Sequence, residues 1–476
     1  MTDRKKKEEE KEKERQNIKL GNGCSSWQTP PEDVMEKIIR FVEFADQRRL
    51  GQFSKSWRSV VYQTFMRRAR HQLPWLILSE SPNCRVNKYV SFLTFPENKL
   101  CKGKVLKLKL PKQLQRGWIY GSSKGWLIIV KEKGLDSEMC VLNPISGILH
   151  KLPPLRTVPS FRKFIKTRRW ELLGAEGFCL CIKMSSTSND FNSSSDFIVA
   201  AVLDDRKILG LCRPGDKKWS VFLISNFIID ILFSSGMLYA LVRSKQNDEG
   251  VAPTRTLNIP LYGAEHLKLK VVFDKVFDKV ELPTRTLNFS KATCWSMLLE
   301  STSKEVMLIH QITGYAMKRI NDGDKQINEN GDNHDLNVEG DIDGVEGNTD
   351  DEGGGGDGDN EVVHENTRDV RYCTRSFRTY NIDAENNNFH MMHFLGNQII
   401  FCGNDGAFSL PASNIKELGN NCVYYAMNLG WEVDLPKTYI SDEFGIFYLD
   451  GQNTERPFEC MKISIKCLGS WFTPTL

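Results

Sequence analysis

Gly121-Ser122-Ser123-Lys124-Gly125 fits the G-x-S-x-G pattern in which a serine sits on a sharp strand-to-helix turn and attacks an acyl group. That chemistry needs a helix after the motif, and the residues that follow, Trp126 to Val130, form an unbroken apolar run that reads as a strand. A hairpin turn is therefore expected, and Ser123 is not a nucleophile. Cys179 and Cys181 are one residue apart, too close for a zinc knuckle, and no second Cys/His pair stands at ligand distance. On a strand the two thiols would share one face and pack as core. His390 and His393 likewise lack a matching acid or cysteine. Asp341-x-Asp343 begins like a calcium loop, but Val345 and Glu346 stand where a ligand and a glycine are required. No phosphate-cradling or dinucleotide glycine fingerprint is present. The sequence thus implies no catalytic residue, no metal and no cofactor.

The elements that carry these residues change in texture along the chain. Met1 to Arg15 alternates basic and acidic blocks and reads as a solvated tail extending to about residue 26, with no apolar core of the kind a secretory signal needs. Pro31, at a first helical position, is followed by Glu32 and Asp33, which place negative charge in a first turn. Two apolar stripes follow. Val34, Ile38, Phe41 and Ala45 form one; Met35, Ile39 and Val42 form the other. One stripe suffices to bury a helix on its own domain, so the second predicts a partner, and the Ile39 stripe is assigned outward. A short helix after Asp46 carries Leu50 and Phe53. A third begins near Ser54 with Trp57, Val60, Val61, Thr64 and Phe65 in register, and Pro74 ends it. Residues 27–73 should be a three-helix unit.

From Trp75 onward, short apolar runs alternate with Gly, Asn, Asp and Pro turns, the pattern of many short strands. Residues 74–320 and 361–476 are too many for one sandwich. At roughly 40–50 residues per blade they predict a β-propeller of about seven or eight blades, a mainly β fold with a small α domain at its N-terminus. Pro-Thr-Arg-Thr-Leu-Asn occurs at 253–258 and again at 283–288, which suggests a local duplication. Residues 321–360 hold 14 Asp/Glu, one Lys and ten Gly, a composition that cannot build a core and reads as an acidic insertion. Their net charge of −13 within a chain of net +4 leaves +17 for the rest. The 13 cysteines are odd in number and scattered, as expected of reduced thiols in a nuclear or cytoplasmic protein. No apolar stretch spans a bilayer comfortably. Basic runs such as Arg67-Arg68-Ala69-Arg70 and Lys166-Thr167-Arg168-Arg169-Trp170 read as solvated surface, so nucleic acid is not an expected partner.

The stretch from Trp27 through Pro31, Asp33, Val34, Met35, Ile38 and Ile39, then Leu50, Phe53 and Trp57, resembles the F-box. Pro30 stands where that family usually has Leu, and Ser54 where Cys is common. The remainder is similar to plant F-box proteins of the KIB/SKIP type. Gly121 to Leu127, Leu142-Asn143-Pro144-Ile145-Ser146-Gly147, Gly236 to Leu241, Phe394 to Phe401, Asn421 to Tyr425 and Trp471-Phe472-Thr473-Pro474 carry that likeness in order. The resemblance implies a β-propeller and a non-catalytic role: the F-box docks on the Skp-type adaptor of a cullin ubiquitin ligase, and the propeller holds an unidentified protein substrate. It implies adaptor contacts at Pro31, Val34, Met35, Ile38, Ile39, Val42, Leu50 and Trp57. The alternative is a propeller scaffold whose F-box no longer enters a ligase.

Overall fold

A computed structural model describes residues 30–42, 47, 50, 51, 53–69, 73–79, 85–86, 88–94, 104–185, 197–243, 255–260, 266–276, 293–317, 370–414, 420–428, 442–455 and 466–474. The N-terminal tail, the acidic insertion 321–360 and the second copy of the repeat lie outside the described residues.

Six sheets of four or five strands follow the N-terminal helices. The first contains Trp75–Ser79, Tyr89–Thr94 and Lys104–Lys109, and Lys466–Phe472 from the C-terminal end completes it at one edge. The second is Gly117–Ser123, Trp126–Lys131, Glu138–Leu142 and Leu149–Lys151 with the short Arg85–Val86. The third runs from Cys179–Met184 through Val199–Leu203 and Ile208–Cys212 to Ser220–Leu223. Phe227–Ser234, Met237–Arg243, His266–Asp274 and Arg255–Pro260 make the fourth, in that spatial order. Thr293–Glu300, Val306–Met317, Val370–Asp383 and Asn388–Met392 make the fifth. The sixth is built on Gln398–Gly403, Gly406–Pro411, Cys422–Asn428, Asp442–Tyr448 and Asn453–Glu455.

Each sheet packs on both faces, which explains why a strand such as Trp126–Lys131 is apolar throughout instead of alternating. Leu127 and Ile129 meet Trp75 and Phe92 of the first sheet, while Trp126 and Ile128 meet Phe197 and Val199 of the third. Val202 and Leu209 pack on Ile231 and Leu238 of the fourth. Leu241 and Val272 pack on Leu298 and Leu308 of the fifth. Ile309 and Phe377 meet Ile400 and Phe447 of the sixth. Phe401 and Tyr424 of the sixth then meet Leu76 and Trp471 of the first. Six sheets share six apolar interfaces, so the ring is closed.

The propeller therefore has six blades, not the seven or eight that chain length suggested. A blade here uses about 60 residues because long stretches separate strands that are neighbours in space. Val306–Met317 and Val370–Asp383 pair directly although residues 318–369 lie between them. A further helical linker, with helices Phe161–Phe164 and Arg168–Leu173, joins the second and third blades.

Candidate partner-binding site

The N-terminal helix Glu32–Phe41 has Glu32 and Asp33 in its first turn, as the sequence indicated, but Pro31 is its N-cap and not its first helical residue. Helix Lys55–Ala69 follows, and the Ser54 hydroxyl accepts a 3.2 Å hydrogen bond from the Trp57 amide, a side-chain cap on an otherwise unpaired donor. Gln47 is buried between the helices. Its Nε2 donates to the carbonyl oxygens of Ile39 and Val42, each at 2.8 Å, supplying partners at the end of the first helix. Nothing in the periodicity singled out Gln47.

Met35, Ile39, Trp57, Val60 and Val61 form the core of this unit, with Ile38 and Leu50 packed partly against it. Ile39 is fully buried, so the stripe assigned outward from spacing faces inward. The reason is tertiary: Trp57 of the second described helix settles on the Met35/Ile39 side. The opposite stripe is the accessible one. Val34 is exposed, Ile38 is half-buried, and Phe41 is 92% exposed. Pro31 is exposed and Val42 half-buried, so Pro31, Val34, Ile38, Val42 and Leu50 all present some surface, whereas Met35, Ile39 and Trp57 are occupied by the bundle. Phe53 is exposed as well. Phe41 and Phe53 were recognised as apolar positions but not as contact residues. For Phe41 the available signal was its spacing of seven from Val34.

The motifs that suggested chemistry take structural roles. Lys124 and Gly125 have φ of 48° and 80°, the left-handed pair of a two-residue hairpin turn, and a strand follows. Ser123 Oγ accepts a 3.1 Å bond from the Met184 amide. Cys179 and Cys181 do not share a face. Val202 pairs with Cys181 and Leu203 with Cys179, a one-residue bulge at Leu180 that sends the thiols to different inter-blade clusters. Burial pushes the Cys181 thiol up to about 12, and the negative charge of Asp230, on which it donates a hydrogen bond, adds to that. Cys140, Cys294 and Cys422 are raised by burial too. Such thiols are poor nucleophiles. Among the described residues no group of three or more His, Cys, Asp or Glu could hold a metal ion, and His390 and His393 are both exposed. Ser296 and His310 both bond to Asp274 Oδ2, at 3.1 and 3.3 Å, so the serine donates to the acid and not to the imidazole, and the trio is buried.

Where the C-terminal strand closes the ring, polar groups meet from sequence-distant strands. Trp471 Nε1 donates to the Cys402 carbonyl at 2.8 Å, Asn404 N donates to the Gly469 carbonyl at 2.7 Å, and Ser122 Oγ donates to the Trp471 carbonyl. Ser122 N donates to Asp405 Oδ2 at 2.7 Å, and the Lys183 ammonium binds the Asp405 main-chain carbonyl. Burial pushes the Asp405 carboxyl up to about 6, against the opposing pull of Lys183 and the Ser122 amide. Burial alone would lower Lys183, but the charges of Asp230 and Asp405 outweigh it and leave the ammonium raised. No helix among the described residues is long and apolar enough to cross a membrane.

Fold and site define a β-propeller protein that carries a small helical docking unit. Residues 92–450 match the KIB1-4 beta-propeller and residues 31–63 match the F-box domain, so the chain belongs to the KIB1-4 beta-propeller family and bears an N-terminal F-box. The closing strands Trp75–Ser79 and Lys466–Phe472 lie outside the matched span. A comparison with curated proteins gives no significant match. Two solved structures show a distant likeness: crystal structures of BBS1N in complex with ARL6DN, soaked with mercury and with lead. Both are 9% identical, with TM-scores of 0.21 and 0.22. The matches cover 48% of this chain and 58% and 59% of theirs, little more than half of those chains. An F-box together with a propeller is an arrangement typical of non-catalytic substrate-adaptor proteins.

Proposed function

We propose that this protein is the substrate-recognition subunit of a Skp–cullin–F-box ubiquitin ligase. The F-box docks on a Skp-type adaptor and through it on the cullin, and the propeller holds a protein target beside the charged ubiquitin-conjugating enzyme. Its contribution to rate is proximity and orientation.

One observation supports this reading above the others. The helix Glu32–Phe41 buries Met35 and Ile39 but leaves Val34 and Phe41 exposed on the other side. Phe41, 92% exposed, is a large apolar side chain without cover among the described residues. The adaptor would bury the Val34/Ile38/Phe41 stripe, with Pro31, Val42 and Leu50 beside it.

Co-expression with a Skp-type adaptor and affinity recovery test the proposal. Wild type should retain the adaptor. Phe41→Asp and Ile38→Asp would each bury an unpaired charge against it, costing several kcal/mol, and should abolish recovery while leaving the propeller folded. Ile39→Asp should instead unfold the helical unit. Full recovery with both Phe41→Asp and Ile38→Asp would refute the docking face. Failure of wild type to bind would favour a propeller scaffold outside any ligase.

A further inference from the structure

Blade three is flanked by a basic surface that the F-box reading does not use. The linker between the second and third blades exposes Arg162, Lys163, Lys166 and Arg168, and the hairpin turn after Ile208–Cys212 exposes Lys217 and Lys218. The two segments are fastened to each other. Trp219 donates through Nε1 to the Pro153 carbonyl at 2.8 Å, and its amide donates to Thr157 Oγ1 at 3.2 Å. Phe161, Phe164, Phe178 and Trp219 are buried in one cluster, with Phe161 edge-on to Phe178 at 4.9 Å. The cations therefore stand on a packed platform.

Their charges are not spent locally. Asp136 and Asp205 pair with Arg156 and Arg169 instead, and Asp216 accepts from the Arg213 amide. None of the six cationic side chains has a hydrogen-bond or ion-pair partner among the described residues. Like charges on two joined segments, without side-chain partners, raise the local potential and favour an anionic partner.

We propose that this surface binds an acidic stretch of a protein partner, and under the ligase reading that partner is the substrate. Two other anionic partners fit less well. Single-stranded nucleic acid needs exposed aromatic faces, but Trp219 is buried and Trp170 is held edge-on by Phe161 and Phe164. A membrane surface usually takes apolar anchors as well, and no large exposed apolar side chain is found in 153–178 or 213–219 among the described residues.

The test is binding of a fluorescent glutamate-rich peptide to the full-length protein, followed by anisotropy, with duplex DNA in a parallel titration. Peptide should bind, more weakly at higher salt as the screening length falls to about 8 Å near physiological ionic strength. The pairs Lys163→Glu/Lys166→Glu and Lys217→Glu/Lys218→Glu should each weaken it about tenfold with unchanged melting temperature. Lys104→Glu/Lys109→Glu, on the outer strand of blade one, should not. Absence of peptide binding, equal loss with the Lys104/Lys109 pair, or tighter binding of DNA that the same pairs abolish would each overturn the proposal. No adaptor takes part in the assay, so its failure leaves the F-box reading to stand or fall on adaptor recovery.

Discussion

Removing the Trp471 side chain should open the propeller at its seam. Trp471 is 3% exposed and lies where Lys466–Phe472 pairs with Trp75–Ser79 to complete blade one. Its ring meets Phe401 edge-on at 5.2 Å and Phe444 at 5.6 Å, and its Nε1–H is bound to the Cys402 carbonyl. Truncating a buried Trp to Ala typically costs about 3–5 kcal/mol, and leaving a buried carbonyl unpaired adds about 1 kcal/mol. Trp471→Ala should therefore lose about 4–6 kcal/mol, a large part of the stability of an ordinary domain. Trp471→Phe keeps most of the apolar area and forfeits the hydrogen bond, so a loss of about 1–3 kcal/mol is expected. Urea denaturation followed by tryptophan fluorescence and by far-UV circular dichroism measures both, with coincidence of the two probes as the check on two-state behaviour. Adaptor recovery should persist in both variants, since the F-box core does not touch the seam. A Trp471→Ala protein within about 0.5 kcal/mol of wild type would refute the assignment of the C-terminal strand as the closing element.

Gly403→Ala should also strain the seam, because a Cβ there would lie 2.5 Å from the Gly469 carbonyl oxygen, a main-chain atom that cannot swing away; a melting temperature equal to wild type would contradict the close approach. Gln47→Ala should destabilise the helical unit by about 1–3 kcal/mol through the Ile39 and Val42 carbonyls it leaves unpaired, measurable as lost helical protection in hydrogen exchange. The Asp405 carboxyl, raised to about 6 from an ordinary 3.8, penalises the fold when ionised. That penalty is complete above about pH 6 and gone below about pH 4, so wild type should gain on Asp405→Asn as pH falls through this window. A stability gap that does not change with pH would contradict the buried setting of this carboxyl.

Local chemistry was legible in the sequence wherever neighbours along the chain decide it. The turn at Lys124-Gly125 follows from two adjacent left-handed residues between apolar runs, and the Ser54 start of a helix follows from a hydroxyl three residues before Trp57. Periodicity also supplied two apolar stripes on Glu32–Phe41, but both stripes satisfy the same 3.6-residue repeat. Which one faces inward depends on where Trp57 lands, and that put Ile39 inside and Phe41 in the open. The bulge at Leu180 separated Cys179 from Cys181 because register is set by the partner strand Val199–Leu203, not by the two-residue repeat of their own. Blade number escaped for a similar reason. A blade is defined by which strands pair, and Val306–Met317 with Val370–Asp383, or Trp75–Ser79 with Lys466–Phe472, pair across hundreds of residues or long intervening stretches. Lys183 and Asp405, 222 residues apart, meet only because the ring closes. The sequence by itself determined the kinds of element and their order; the tertiary structure decided how many sheets close the ring and which apolar face stays open, because both depend on contacts that no local pattern encodes.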